Sequence, residues 1–151
     1  MPYNYAVTAH SPARPTTVFD VLLRPGTWPS WSPIEVAEVE GDGDPDRRQQ
    51  IGDTRIFSIG RNAARERITG LVPDRTFSYE NPGAPFRTYH GTVALAEAPG
   101  GGTDITWSAV FEPRLRLAGP FWRWYLKRFM QGMADGLAAY AGKAADQDTA
   151  P

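Results

Sequence analysis

The sequence has 151 residues, 41% of them hydrophobic and 22% charged, with a net charge of −1. A single domain of this size buries roughly 68–70% of its unfolded surface, and the near-neutral balance gives no broad basic footprint, so no nucleic-acid partner is expected. The absence of cysteine excludes disulfides, thiolate catalysis and cysteine-ligated zinc or iron–sulfur sites.

No apolar run of about 18 residues appears, so stable membrane insertion is not expected. The N-terminal MPYNYAVTAH lacks the basic-then-apolar order of a signal peptide, which points to the cytoplasm. Taken in chain order, Tyr3, Tyr5, Val7 and Ala9 alternate as in a half-buried strand. Pro12 and Pro15 break it. Val18, Phe19, Leu22 and Leu23 then take helical spacing, with Pro15 in the first turn. The loop GTWPSWSP follows, residues 26–33, and puts Trp28 and Trp31 where polar residues are usual.

Ile34 to Glu40 reads as a strand with Ile34 and Val36 on one face and Val39 out of step. A turn follows at Gly41-Asp42-Gly43-Asp44-Pro45. Strands are expected over Thr54–Ile59, Arg65–Val72, Thr76–Glu80 (stopped by Asn81-Pro82-Gly83), Phe86–Ala96 and Thr103–Glu112. The last segment, Pro120 to Ala141, repeats Trp122, Leu126, Phe129, Met133, Leu137 and Tyr140 every three or four residues. That is an amphipathic helix of roughly 22 residues, about 33 Å long. The polar tail at 144–151 is expected to fray, leaving a single domain over 1–143. Strands with segregated helices give an α+β fold.

These residues carry a resemblance. Val18-Phe19-Asp20, Trp28-Pro29-Ser30-Trp31-Ser32-Pro33 and Gly52-Asp53-Thr54-Arg55 come first. Glu66-Arg67-Ile68-Thr69, Tyr89-His90-Gly91-Thr92-Val93, Gly102-Thr103-Asp104-Ile105-Thr106-Trp107 and Phe111-Glu112-Pro113 follow. In order over residues 3–141, they resemble the helix-grip (SRPBCC) superfamily. That superfamily includes START lipid-transfer domains, the birch-pollen-allergen fold and bacterial polyketide cyclase/dehydrase-like proteins. The resemblance implies a seven-stranded antiparallel sheet wrapped around the long C-terminal helix. It also implies two short helices after the first strand and an apolar cavity between sheet and helix. It speaks to fold more than to any one activity.

The tryptophan loop would then lie near one end of the cavity. Trp28 and Trp31 either cap that chamber or plug the core beside it. Alternation turns Thr103, Ile105, Trp107, Ala109 and Phe111 inward, and likewise Tyr89, Gly91, Val93 and Leu95. Phe57 and Ile59 share a face with Arg55, and Phe77 and Tyr79 with Arg75. Phe129 and Met133 hang from the helix. Gly91 either leaves volume or marks a bend.

Arg65, Glu66 and Arg67 cannot all face water in a regular strand. Either Glu66 makes a structural ion pair, or Glu66 or Arg65 enters the cavity beside Tyr79 or Tyr89, where it would orient a carbonyl or move a proton. His10 and His90 lack partners at metal-ligand spacing; His90 falls on the outward set and His10 reads as a turn residue. No metal or cofactor is implied. The basic, aromatic run RLRLAGPFWRWYLKR, residues 114–128, belongs in part to the amphipathic helix and is also compatible with a membrane surface or a partner protein.

Three readings follow. The first is a module that binds a small hydrophobic or aromatic molecule. The second is a cyclase- or dehydratase-type enzyme using the same cavity. The third is an interaction protein with a filled core, a dimer through a sheet edge or the Trp122/Trp124 region. The chain is expected to be a monomer or homodimer. A cavity of at least about 300 Å³ favours the first two, and converging polar groups with a perturbed acid favour the enzyme.

Overall fold

A computed structural model describes residues 2–41, 43–81, 83 and 85–149, with the backbone alone at 146–149. Asp42 of the first turn signal, Pro82 of the strand stop, and Ala150 and Pro151 of the tail lie outside the described residues. The elements are β1 (Tyr3–Ser11), α1 (Pro15–Leu23), a 3-10 turn (Pro25–Ser30), β2 (Val36–Val39), β3 (Thr54–Ile59), β4 (Asn62–Val72), β5 (Thr76–Glu80), β6 (Phe86–Glu97), β7 (Thr103–Pro113), a second 3-10 turn (Arg116–Ala118) and α2 (Gly119–Thr149). The seven strands form one antiparallel sheet in the order β1-β7-β6-β5-β4-β3-β2. The first two strands are therefore its two edges, and α1 with the tryptophan turn bridges between them.

Alternation explains which face is inside. On β7, Thr103, Ile105, Trp107, Ala109 and Phe111 are all buried, as the sequence predicts. Because β6 pairs with β7 in register, Tyr89 lies opposite Phe111 and Val93 opposite Trp107, on the same buried face. The register also assembles a row across the sheet: Tyr5, Ala109, Gly91, Tyr79, Ile68. Gly91, at its centre, is small for a reason. A Cβ on Gly91 would come within 2.3 Å of the Tyr79 ring, so the glycine's missing volume is filled by that ring rather than left empty.

Two expectations need correction. Val36 does not share a face with Ile34. Ile34 is buried but precedes β2, whereas Val36 faces solvent opposite Ser58. Ala37 and Val39 turn inward because they pair with the inward Phe57 and Arg55. His10 is not in a turn; it lies within β1 and its Nδ1 is 3.1 Å from Asp104 on the outer face.

α2 runs alongside β1 in the same direction. Arg123 Nε donates to the Asn4 carbonyl, Gln131 Nε2 to the Thr8 carbonyl, and Ser11 Oγ to the Ala138 carbonyl. The steps match. From Arg123 to Gln131 the helix rises about 12 Å, and from Asn4 to Thr8 the strand rises about 13 Å. The helix thus covers an edge that would otherwise offer unpaired carbonyls. It packs on β1, β7 and α1, while the far strands curl past it. It also continues to Thr149, through most of the segment for which the sequence predicts a frayed tail. Ala144 and Ala145 favour helix, and Ala145 packs against the core.

Candidate ligand-binding cavity

Where α2 leaves the sheet, a cavity of about 640 Å³ opens. Its wall on the sheet side comes from β3 to β7 through Phe57, Ala64, Glu66, Tyr79, Tyr89 and Trp107. On the helix side it comes from Trp122, Tyr125, Leu126, Phe129, Met130 and Met133. Trp28 and Ile34 also line it, and Arg61, Asn62 and Asn81 contribute polar groups to the lining.

Of the ten side chains singled out in the sequence, Trp28, Phe57, Glu66, Tyr79, Tyr89, Trp107, Phe129 and Met133 therefore share one cavity. Trp31 and Phe111 do not reach it. Trp31 packs behind Trp28 (centroids 4.6 Å apart) and Trp107 (6.4 Å), pinned where Gly136 of α2 meets its carbonyl. Phe111 is enclosed by Tyr3, Tyr5, Phe86 and Tyr89. Of the loop's two tryptophans, one lines the cavity and the other packs behind it.

Trp28 is held firmly. Its ring stacks on Phe57 at 4.6 Å and 20°, stands edge-on to Trp107, and its Nε1 donates to the Leu22 carbonyl. Over the same ring lies the most unusual group in the core, the Arg55 guanidinium, 4.5 Å from the Trp28 centroid and 4.8 Å from those of Phe57 and Phe77. Arg55 is completely buried. Three aromatic faces, the Leu22 carbonyl at 3.1 Å and Glu66 Oε1 at 2.8 Å replace its water. Among the described residues its Nε has no hydrogen-bond partner. Burial pulls the guanidinium below the usual arginine range, and the Glu66 charge opposes that. Burial pushes the Glu66 carboxyl up from its ordinary value, and Arg55 pulls it back.

Glu66 is thus the inward member of the charged trio. Arg65 and Arg67 point out, to Glu40 and Glu80. The pairing follows from the register, which sets Arg55 directly opposite Glu66. Sequence reasoning missed Arg55 as the partner, although its two-residue spacing from Phe57 already placed it on the inner face.

Deeper in, three phenols converge. The Tyr5 and Tyr89 hydroxyls are hydrogen-bonded to each other. The Tyr79 hydroxyl accepts from Trp107 Nε1 at 2.9 Å, and its ring centroid lies 6.2 Å from that of Tyr89. Burial, more than any neighbour, raises all three well above the ordinary tyrosine value. At neutral pH each therefore keeps its proton. Tyr79 is also hydrogen-bonded to Tyr5 and Tyr89, so the three hydroxyls and the Trp107 indole form one network. The arrangement offers neutral donors to an acceptor oxygen and a carboxylate nearby, inside an otherwise aromatic and aliphatic wall. Tyr5 escaped the sequence reading because only the non-local order of β1 and β7 brings it beside Tyr89. Among the described residues no three His, Cys, Asp or Glu side chains gather as a metal would require.

A family described as "Polyketide cyclase / dehydrase and lipid transport" matches residues 4–142. No curated protein matches the sequence. Among solved structures, one titled "Crystal structure of Ara h 8.0201" superposes with a TM-score of 0.71 at 16% identity, over 93% of this chain and 98% of that one. At that identity the likeness is one of fold.

Proposed function

The chain belongs to the polyketide cyclase/dehydrase and lipid-transport family, within the SRPBCC superfamily, and on that ground we propose that it holds a small hydrophobic or aromatic molecule between its sheet and α2. The observation that carries this reading is the cavity of about 640 Å³ with aromatic walls and phenol donors at its floor. That volume lies within the range of small-molecule sites, roughly 300–1,000 Å³. A filled-core interaction protein would have no use for it. Burying about 200 Å² of apolar ligand surface contributes about 5 kcal/mol, and the phenols of Tyr79 and Tyr89 orient an acceptor oxygen on the ligand. Native mass spectrometry of the chain purified from its own host tests this. A bound small molecule is expected, and its loss in a variant with Ala64→Leu, which grows into the cavity, locates it. A chain that carries nothing and excludes hydrophobic probes refutes the reading.

A second reading has its own support, the carboxyl of Glu66 in the same cavity, pushed up by burial. In a cyclase or dehydratase, Glu66 takes a proton from the carbon next to a ligand carbonyl, and the phenols stabilise the resulting enolate oxygen. Glu66→Gln and Tyr79→Phe then abolish turnover of the co-purified molecule while still binding it. Unchanged turnover in Glu66→Gln removes Glu66 from any mechanism and leaves the binding reading standing.

A further inference from the structure

The start of α2 and the 3-10 turn before it carry a second, exposed surface that meets the cavity wall at Tyr125. Leu115 is 75% exposed, Leu117 98%, Phe121 55%, Trp124 58% and Tyr125 42%. Around them stand Arg114, Arg116, Arg123, Lys127 and Arg128, and no Asp or Glu occurs between Glu112 and Asp135. The stretch thus holds +5 in a chain of −1, so the remainder carries −6. The basic character is local, which is why whole-chain charge gives no sign of it. So many exposed leucine and aromatic side chains within eleven residues cost solubility unless something covers them.

We propose that this face docks on an anionic lipid surface. Aromatic rings among basic residues suit the boundary between lipid headgroups and acyl chains, where the rings bury and the cations meet phosphate. Leu117, at the tip of the 3-10 turn Arg116–Ala118, is placed to enter first. Docking is peripheral: no helix among the described residues is long and apolar enough to cross a membrane. A second copy fits poorly, because a two-fold contact would set +5 against +5. The face also leads to the cavity. Phe121 stacks on Tyr125 at 6.1 Å, and Tyr125 on Phe129 at 6.0 Å. Tyr125 and Phe129 line the cavity wall. A ladder of rings thus runs from the docking face to the interior, and docking sets the cavity mouth at the lipid surface. None of this depends on which molecule the cavity holds.

The test is co-sedimentation of the full chain with vesicles, free of any cavity ligand. Vesicles of phosphatidylcholine with phosphatidylglycerol are expected to pellet the chain, and phosphatidylcholine alone to pellet far less. Added salt should weaken the binding. Each cation near such a surface contributes about a factor of five, so Arg116→Glu with Lys127→Glu should lower partitioning by about 25-fold or more. Leu117→Ser with Trp124→Ser should lower it independently. All four side chains are exposed, so both double variants should keep the parent melting temperature. The proposal is overturned if the parent stays in the supernatant with both vesicles. It is equally overturned if both double variants bind like the parent. Failure to bind vesicles, together with a dimer that Leu117→Ser dissolves or with binding to polyglutamate, would give the face to a protein partner and overturn it too.

Discussion

The two halves of α2 are built from different side chains and do opposite things. The second half presents Ala134, Gly136, Ala138, Ala141 and Gly142 to its neighbours. A Cβ on Gly136 would sit 2.0 Å from the Trp31 carbonyl oxygen, and one on Gly142 would lie 2.8 Å from Pro12. That half is sealed down. The first half presents Trp122, Leu126, Phe129, Met130 and Met133, and here the space beneath stays open. One continuous rod closes a fold at one end and roofs a cavity at the other through a gradient in side-chain size. Small residues let backbones meet, and large flexible ones span a gap without filling it.

The comparison can be broken most severely at its hinge of charge. Arg55→Leu leaves the Glu66 carboxylate buried without its cation, and removing one partner of such a pair costs about 3–5 kcal/mol. Chemical denaturation should show that loss, and Glu66→Leu added to Arg55→Leu should recover much of it. Next, Gly136→Ala should cost about 1–3 kcal/mol by overpacking against a backbone carbonyl that cannot move aside, read as a fall in melting temperature. A third test uses pH to probe the sheet beneath the open half. Tyr5, Tyr79 and Tyr89 have raised values in the fold against an ordinary 10.0, so above about pH 10 the unfolded chain releases protons that the folded one keeps. Stability is then constant with respect to these groups below pH 10 and falls as pH rises beyond it, by about 1.4 kcal/mol per pH unit per tyrosine. Tyr79→Phe should make that slope shallower by one such share, and tyrosinate absorbance should appear for these three only on unfolding. The smallest effect is expected from Ala64→Leu, which projects into open volume. Its stability should stay within about 1 kcal/mol of the parent, while binding of anilinonaphthalene sulfonate in the cavity falls away.

Much of this was legible in the sequence. Strict alternation in Thr103–Phe111 and in Tyr89–Leu95 fixes the inner face, because a period of two leaves no other choice for a sheet packed on one side. The periodicity of Trp122 to Tyr140 marks the helix, although its large residues drew attention from the alanines that seat it. The sealing contacts of Gly136 are invisible locally, since a glycine inside a helix announces only weakness. The candidate site was half legible. Glu66 had to face in or out, and Ile68 two residues further along the same strand marks its side as the inner one, but its partner cannot be read from that strand. That partner is Arg55, set opposite it by the β3–β4 hairpin. The phenol cluster needs β1 beside β7, a pairing of chain ends that no short-range pattern encodes. Val36 misled because an isolated Ile-x-Val imitates a strand face even where the chain has not yet joined the sheet.

The alignment of α2 along β1 bears on how copies of this protein behave when crowded. With Arg123 and Gln131 occupying carbonyls of that border, sheet-to-sheet fibril growth is left with only the opposite border, β2. That strand spans only Val36–Val39 and carries the acidic Glu38, with Glu35 and Glu40 flanking it. A short, negatively charged border is a poor template for another strand, so the fold should resist ordered aggregation at concentrations where an uncovered β1 would promote it.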